Sequence, residues 1–250
     1  VGAPKMIAIT SDDVEPSYYA LNATNKKIYA LGNNTYGQLG QNNTTDQKGW
    51  VIVKNELGTG DLTNVVFISA NDQDGRGSEG AAGCITSDDH LYLWGSNSGT
   101  GMIGAPSTSA TVLLPRHPDG YTFGVDFPIY VEVGGHTTGY LRECADRYCY
   151  VGHKINGSMG DNISTGGFIN LFDCANTPQA LICNASSYDS GDAPLSFEST
   201  APAAHYYKCP AGIQLGSITP NSNNLSPVNV LANADNMSTN GDGLEEDGIA

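Results

Sequence analysis

The chain has few charged residues, and positively charged ones are the scarcest. Only 15% of its 250 residues are charged, with 11 Lys and Arg against 26 Asp and Glu, so the formal net charge is −15. Because phosphate groups are bound by clustered Lys and Arg, this balance argues against nucleic acids and anionic membranes as partners. No apolar run approaches the roughly 18 residues of a membrane helix, so direct membrane insertion is not expected. No signal-peptide pattern is present, as in a mature chain or a fragment.

Metal-binding cysteine patterns are also missing. The six cysteines include no C-x-x-C pair, and no pair of histidines lies near them, so a zinc site is not expected. Cys144 and Cys149 flank a turn in one predicted hairpin, where cross-strand neighbours come within disulfide distance. We therefore expect a Cys144–Cys149 disulfide and an oxidising compartment.

A catalytic constellation is not recognisable either. The five histidines are scattered along the chain, without a nucleophile elbow or a metal-binding pair. Residues 99–104 satisfy the dinucleotide-binding pattern G-x-G-x-x-G, but Ala105-Pro106-Ser107 follows where a helix should begin. We interpret this string as a turn. An active site assembled from loops stays an open alternative, because sequence periodicity does not reveal such sites.

What the chain does contain is a threefold repeat, in which a short apolar strand is followed by glycines at fixed offsets. Glycine allows a sharp turn where a Cβ would clash, so we assign these residues to structural turns. A fixed internal period of this kind is typical of repeat folds. The turn glycines are Gly32, Gly37 and Gly40 in LGNNTYGQLG, Gly95, Gly101 and Gly104 in WGSNSGTGMIG, and Gly152, Gly157 and Gly160 in VGHKINGSMG.

Three short strands are predicted in each repeat. The glycine-bearing strand forms a hairpin with the strand before it, and a β-branched strand precedes that hairpin. The repeat is therefore three strands, a glycine-rich turn and a variable connection. Its period is 63 residues between Gly32 and Gly95 and 57 between Gly95 and Gly152, and insertions account for the excess over propeller blades of about 40 to 50 residues. The predicted strands are 6–10, 18–21, 28–31, 65–69, 82–85, 91–94, 129–133, 138–141 and 148–151.

The string from Ile28 to Gly40, with its N-N-x-x-G-Q-L-G core, resembles the repeat of RCC1-like β-propellers (regulator of chromosome condensation type). The resemblance covers about residues 5–170 and is weakest in the third copy, where His153 and Lys154 replace the asparagines. It implies an all-β fold, with three visible blades of a propeller at residues 1–172. Because propellers of this family have about seven blades, the chain is expected to be a piece of a longer protein. Trp94, just before a turn glycine, is expected to pack between blades.

The composition changes near residue 185. Residues 186–250 hold eight Asp and Glu but one Lys, and a Cys-containing connector at 173–187 is predicted to lead into a second domain at 188–250. This segment contains GDAP, Ala204-His205 and Leu215-Gly216, and ends in DGLEEDGI. That order resembles the first part of the GEVED domain of large secreted and cell-surface proteins, notably of Bacteroidota. The resemblance implies an incomplete, acidic, β-sandwich-like domain.

Two acidic strings on glycine-bearing loops offer the hard oxygen ligands that calcium requires. The first contains Asp72, Asp74 and Glu79, and the second contains Asp242, Glu245 and Asp247. Neither has the EF-hand spacing, and solvated acidic loops are the alternative for both. We assign calcium to Asp242, Glu245 and Asp247 and expect no other cofactor.

Two classes of function follow from these observations. The resemblances imply a non-enzymatic extracellular module of a large bacterial surface or secreted protein, acting in adhesion or surface display and exported by the type IX secretion system. Its partners would be an extracellular protein or polysaccharide, together with secretion or cell-envelope components. The alternative is a propeller-based enzyme or protein inhibitor with its site on blade loops. The lack of a recognisable catalytic set and the predicted second domain favour the module.

Overall fold

A computed structural model describes residues 2–10, 16–71, 80–97, 101–105, 111–143 and 148–175. Regular structure in these ranges consists of twelve β-strands. All of the strands belong to one compact unit. No helix in the described ranges is long and apolar enough to cross a membrane. The predicted second domain and most of the connector lie outside the described residues.

The strands form three antiparallel sheets of four, each built from strands in chain order. We call these sheets blade 1, blade 2 and blade 3. Blade 1 comprises β1 (Pro4–Thr10), β2 (Ser17–Asn22), β3 (Ile28–Gly32) and β4 (Gln47–Ile52). Blade 2 comprises β5 (Val65–Ala70), β6 (Ala81–Thr86), β7 (Leu91–Ser96) and β8 (Thr111–Arg116). Blade 3 comprises β9 (Pro128–Val133), β10 (Thr137–Arg142), β11 (Tyr148–His153) and β12 (Phe168–Asp173).

The all-β fold class is confirmed, and each blade has one strand more than the sequence predicted. The nine predicted strands are the first three strands of the three blades. The fourth strands, β4, β8 and β12, lie where variable connections were expected. They were missed because each ends its sheet and buries few side chains, none in the case of β4. The three fourth strands nevertheless begin at a regular offset, seven residues after Gly40 and Gly104 and eight after Gly160.

Blades 1 and 2 each pack one face against the next blade along the chain, and blade 3 has an equivalent face. We call this the forward face, and the opposite side of the same sheet the rear face. Trp94 on the rear face of blade 2 is 1% exposed and donates its Nε1–H to the Gln38 carbonyl of blade 1 at 2.6 Å. On the forward face of blade 2, Ser69 Oγ accepts a hydrogen bond from the Val133 amide of blade 3 at 3.0 Å. Trp94 therefore packs between blades, as its position in the repeat predicts.

The repeat glycines occupy backbone conformations that other residues rarely adopt. All nine have positive φ, and the first of each set, Gly32, Gly95 and Gly152, has φ of 102° to 109°. At these three positions an added Cβ would lie 2.3 to 2.4 Å from a backbone carbonyl oxygen. The same carbonyl accepts the amide hydrogen of the residue after the glycine, at 2.9 to 3.3 Å. One backbone contact thus recurs in every blade, with the carbonyls of Pro16, Gly80 and His136.

The turn after each first glycine is braced by a side chain two residues further on. In blade 1 this is Asn34, which is 0% exposed and accepts a hydrogen bond from the Leu39 amide at 2.8 Å. In blade 2 it is Asn97, which donates to the Ala105 carbonyl at 3.1 Å. In blade 3 the residue is Lys154, whose Nζ pairs with Asp161 at 2.6 Å. An ion pair therefore replaces the buried amide in the third copy, which explains its weaker sequence resemblance.

Candidate functional site

A groove of about 340 Å³ opens on the forward face of blade 3. No fourth blade covers this face within the residues that the structure describes. Tyr130 and Glu132 of β9 form one side of the groove, Gly139 and Leu141 of β10 lie in the middle, and Tyr148 of β11 lies on the other side. The groove is therefore built by alternate residues of three adjacent strands, which point to the same side of a sheet.

The strand registers show which residues of blade 2 correspond to the groove. Gly139 lies opposite Glu132 and Tyr150, just as Gly83 lies opposite Ser69 and Leu93. Gly83 lies on a face that contacts blade 3, since an added Cβ there would be 3.1 Å from Val133. The groove thus occupies the surface that is blade-to-blade contact elsewhere. The corresponding pairs are Phe67 with Tyr130, Ser69 with Glu132, Ile85 with Leu141, Leu91 with Tyr148, and Leu93 with Tyr150.

The tyrosines of the groove are held by specific contacts. Tyr130 donates its hydroxyl hydrogen to Glu132 Oε2 at 2.9 Å, and its ring centroid lies 4.9 Å from that of Phe67. The hydrogen bond to Glu132 is the main reason why the pKa of Tyr130 is raised. Tyr148 leans over Gly139, where a Cβ would come within 2.8 Å of its ring. Burial raises the pKa of Tyr148, so both phenols stay protonated at neutral pH.

This arrangement has the chemistry of a binding surface. Two tyrosine rings offer apolar area, and their hydroxyls, with the Glu132 carboxylate, offer hydrogen-bonding groups at the edges. Pockets for small ligands are usually of this kind, mostly apolar with a few placed polar groups, and about 300 to 1,000 Å³ in volume. Among the described residues that line the groove there is one carboxylate and no Lys or Arg.

A second cluster of rings lies at one end of blade 2. His90, just before β7, and His117, just after β8, approach within 2.8 Å between Nδ1 and Nε2. Phe123 stacks on His90 with ring centroids 4.0 Å apart and planes 6° apart, and Tyr92 stacks on both imidazoles. Burial, and then the nearby His90, lower the pKa of His117. The cluster joins the connection between blades 2 and 3 to the β6–β7 hairpin. The sequence did not reveal this cluster because the two histidines are 27 residues apart.

The disulfide expected from the sequence requires correction. Cys149 is bonded to Cys174, with Cα atoms 4.0 Å apart, and not to Cys144. The reason is the register of β11, because Tyr150 lies opposite Asp173 of β12, which places Cys149 beside Cys174. On its other side Cys149 lies opposite Tyr140 of β10. Cys144 itself lies outside the described residues, and Cys84 is a buried free thiol.

Other predicted residues divide between the described and undescribed parts of the chain. Both acidic strings, including the calcium candidates Asp242, Glu245 and Asp247, lie outside the described residues. In the part that is described, no group of three or more His, Cys, Asp or Glu could hold a metal ion. The described portion of the G-x-G-x-x-G string is a blade turn, with Met102 and Ile103 fully buried between Gly101 and Gly104.

The groove tyrosines were missed by sequence reasoning. Among the other aromatic residues, Trp50 is 46% exposed on blade 1, whereas Tyr19 is buried and its hydroxyl donates to the Gln38 carbonyl. Tyr130 and Tyr148 carry no motif that distinguishes them from other strand tyrosines. An alignment of the three repeats would have pointed to this surface, because Glu132 falls at a position that holds Ala8 and Ser69 in the other copies.

Comparison with known proteins identifies the fold. No family model matches the chain, and no curated protein matches it. Among solved structures, human WBSCR16 superposes with a TM-score of 0.51 at 16% identity, over 69% of this chain and 37% of that one. Prp20p of Saccharomyces cerevisiae, whose structure was reported with its binding to Gsp1p and histones, gives a TM-score of 0.48 at 17% identity, over 68% and 37% of the two chains.

These comparisons bear on architecture alone. The matched region spans little more than a third of either solved chain, and the sequence identities are low. The chain itself has four-stranded antiparallel blades in chain order, with recurring turn glycines. The described part of the chain therefore has the fold of an RCC1-like β-propeller, in three consecutive blades.

Proposed function

We propose that the chain is a non-enzymatic extracellular module of a large bacterial surface or secreted protein, which acts in adhesion or surface display. Its second domain is of the GEVED type, and export uses the type IX secretion system, as in Bacteroidota. The partners are an extracellular protein or polysaccharide, with contacts to the secretion machinery or cell envelope during export. The groove of blade 3 is the surface that contacts the extracellular partner.

The observation that carries this proposal is the open groove with its polar rim. On the forward face of blade 2, which contacts blade 3, Ile85 and Leu91 are buried apolar residues. In blade 3 the corresponding surface bears hydroxyl and carboxylate groups at Tyr130, Glu132 and Tyr148. A few polar groups of this kind are sufficient to orient a ligand in a mostly apolar pocket.

Two further features support an extracellular location. The Cys149–Cys174 disulfide is typical of oxidising compartments. The scarcity of charged residues, at 15%, and the net charge of −15 suit a soluble exported chain without nucleic-acid or membrane partners.

Surface accessibility tests the proposal directly. Antibodies raised against the chain should label intact producing cells, and proteinase K added outside should remove the labelling while a cytoplasmic marker survives. Without proteinase K, cells with an intact outer envelope should still be labelled, because export places the chain outside the envelope. Labelling that appears only after cell lysis would contradict the extracellular assignment.

The calcium site belongs to the same proposal. Hard carboxylate oxygens at Asp242, Glu245 and Asp247 would share one ion and relieve the repulsion within this acidic segment. We expect calcium to raise the melting temperature of a protein that carries the complete second domain, since a ligand that binds only the folded state stabilises it. Alanine at Asp242 and Asp247 should abolish the shift. If calorimetry shows no calcium dependence, these acidic residues are solvated surface groups and do not bind calcium.

A further inference from the structure

The two histidines at the end of blade 2 share a contact that depends on their protonation. Nδ1 of His90 and Nε2 of His117 are 2.8 Å apart. A neutral imidazole has one nitrogen that donates a hydrogen bond and one that accepts it, whereas an imidazolium only donates. The contact therefore forms when one of the two facing nitrogens carries a hydrogen, and it is lost when both do.

A first added proton has a suitable place on His90. The Asp88 carboxylate lies 3.8 Å from Nε2 of His90, and the other nitrogen, Nδ1, faces His117. A His90 imidazolium would thus lie beside a carboxylate and still donate to His117. The stacked ring of Phe123, with its centroid 4.0 Å from that of His90, also favours a cation against its face. One proton is therefore accommodated with the two rings in contact.

A second proton, on His117, is not accommodated in this way. Burial and then the nearby His90 lower the pKa of His117, and Arg116 acts in the same direction, while the Glu56 carboxylate opposes them. With both rings charged, two cations would also point N–H groups at each other across 2.8 Å. His117 can therefore take up a proton only when the two rings separate.

The other ionisable groups around the pair do not titrate in the same range. Burial raises the pKa of Tyr92 and Tyr121, so both phenols stay protonated. Arg116 is paired with Asp119 at 2.7 Å. Since carboxyl groups ordinarily titrate near pH 4, histidines are the groups that change charge between about pH 5 and 8. The charged and titratable groups around the pair are Glu56 before β5, Asp88 and Asp89 of the β6–β7 hairpin, Tyr92 of β7, Arg116 of β8, and Asp119, Tyr121 and Asp126 of the connection.

The connection between blades 2 and 3, residues 117–127, has other anchors that need no histidine. Tyr121 donates its hydroxyl hydrogen to the Asp89 carbonyl at 2.6 Å, and the Asp119 carbonyl accepts the Phe172 amide of blade 3 at 2.9 Å. Asp126 forms an ion pair with Arg142. Between the anchors at Tyr121 and Asp126 lies an exposed turn that includes Phe123. Separation of the imidazoles would therefore open the connection locally and leave the blades assembled.

We propose that His90 and His117 form an acid-sensitive latch, which holds His117 and Phe123 of the connection against the β6–β7 hairpin and releases them when both imidazoles are protonated. The inference does not depend on the proposed function. The open form binds the second proton more tightly than the closed form. The latch thus keeps its full strength above the ordinary histidine pKa of about 6.5, weakens as the pH falls from there through the second step, and loses no more below it.

NMR titration of the histidine rings in the purified 250-residue chain tests the protonation scheme. We expect the pair to titrate in two steps separated by more than about one pH unit, as strongly interacting groups do. In His90→Asn, His117 should titrate in one step at a higher pH than the second step of the parent, because the charge of His90 is gone.

Hydrogen exchange tests the opening. Peptides covering 117–127 should lose protection between about pH 8 and about pH 5 after correction for intrinsic rates. The opening constant should rise by up to about tenfold for each pH unit between the ordinary histidine pKa and the second step. His117→Gln keeps a neutral hydrogen-bonding side chain and should remove this acid response. His136→Gln is the matched control, because His136 is exposed in blade 3 outside the cluster, and the response should persist.

Three results would overturn the inference. The first is titration of both histidines together in the parent chain, which needs no variant to be folded. The second is an acid response of 117–127 that is the same in His117→Gln as in the parent. The third is an equal loss of protection in β2 and β3 of blade 1, since this would indicate general acid unfolding and not a local latch.

Discussion

Gly95→Ala should lower the free energy of unfolding by about 2 to 5 kcal/mol, the sum of the usual costs of a left-handed backbone and of an overpacked site. Gly95 has φ of 102°, and an added Cβ would lie 2.4 Å from the Gly80 oxygen and 2.7 Å from the Ala81 Cα. Both obstacles are backbone atoms. Moving them would also disturb the hydrogen bond that the Ser96 amide donates to Gly80 at 2.9 Å. Urea unfolding followed by tryptophan fluorescence measures the change.

Two other glycines serve as controls that separate backbone strain from steric clash. Gly157 has φ of 74° and nothing within 4 Å of an added Cβ, so alanine there should cost only about 1 to 2 kcal/mol. Gly49 also has open space and no positive φ, and its alanine variant should lie within about 0.5 kcal/mol of the parent. If Gly95→Ala costs no more than Gly157→Ala, the repeated carbonyl contact has no energetic importance.

Reduction of the Cys149–Cys174 disulfide should destabilise the protein by about 3 to 4 kcal/mol, according to the chain-entropy estimate for a loop of this size. The bond closes a separation of 25 residues and joins β11 to the residue that follows β12 in blade 3. Breaking it frees β12 in the unfolded chain and removes a covalent restraint from the groove-bearing blade. Unfolding should therefore be measured with and without a reductant, and in the Cys149→Ala, Cys174→Ala double variant.

Cys84 provides the matched control for this experiment. It is a buried free thiol in blade 2, so Cys84→Ala should leave the effect of the reductant unchanged. Mass spectrometry of unreduced peptides should recover Cys149 linked to Cys174. A Cys149–Cys144 peptide, or stability that does not respond to the reductant, would refute the pairing.

The sequence predicted the fold where the signal was local. The strand at Leu91–Trp94 and the glycine that follows it are adjacent in the chain, and their pattern recurs three times. The fourth strands were missed because Gln47–Ile52 has no buried residue, so apolar alternation could not mark it. The disulfide was misassigned for a related reason, since the partner of Cys149 directly follows β12, the one strand of that blade that was not predicted.

The candidate site was less predictable than the fold. Tyr130, Glu132 and Tyr148 are ordinary strand residues until the register places them on one side of a sheet. His90 and His117 likewise meet only because β7 and β8 are neighbours in blade 2. Local patterns record backbone requirements such as positive φ, whereas a binding surface depends on pairing between strands that are distant in sequence.

Because the strands of each blade follow one another in the chain, whole blades can be gained or lost during evolution. Every sheet is made from one uninterrupted stretch of polypeptide, and no strand is exchanged between blades among the described residues. Duplication or deletion of a segment of about 60 residues would therefore add or remove a whole unit without breaking the hydrogen-bonded ladders of its neighbours. Only the two faces at the junction would have to adapt.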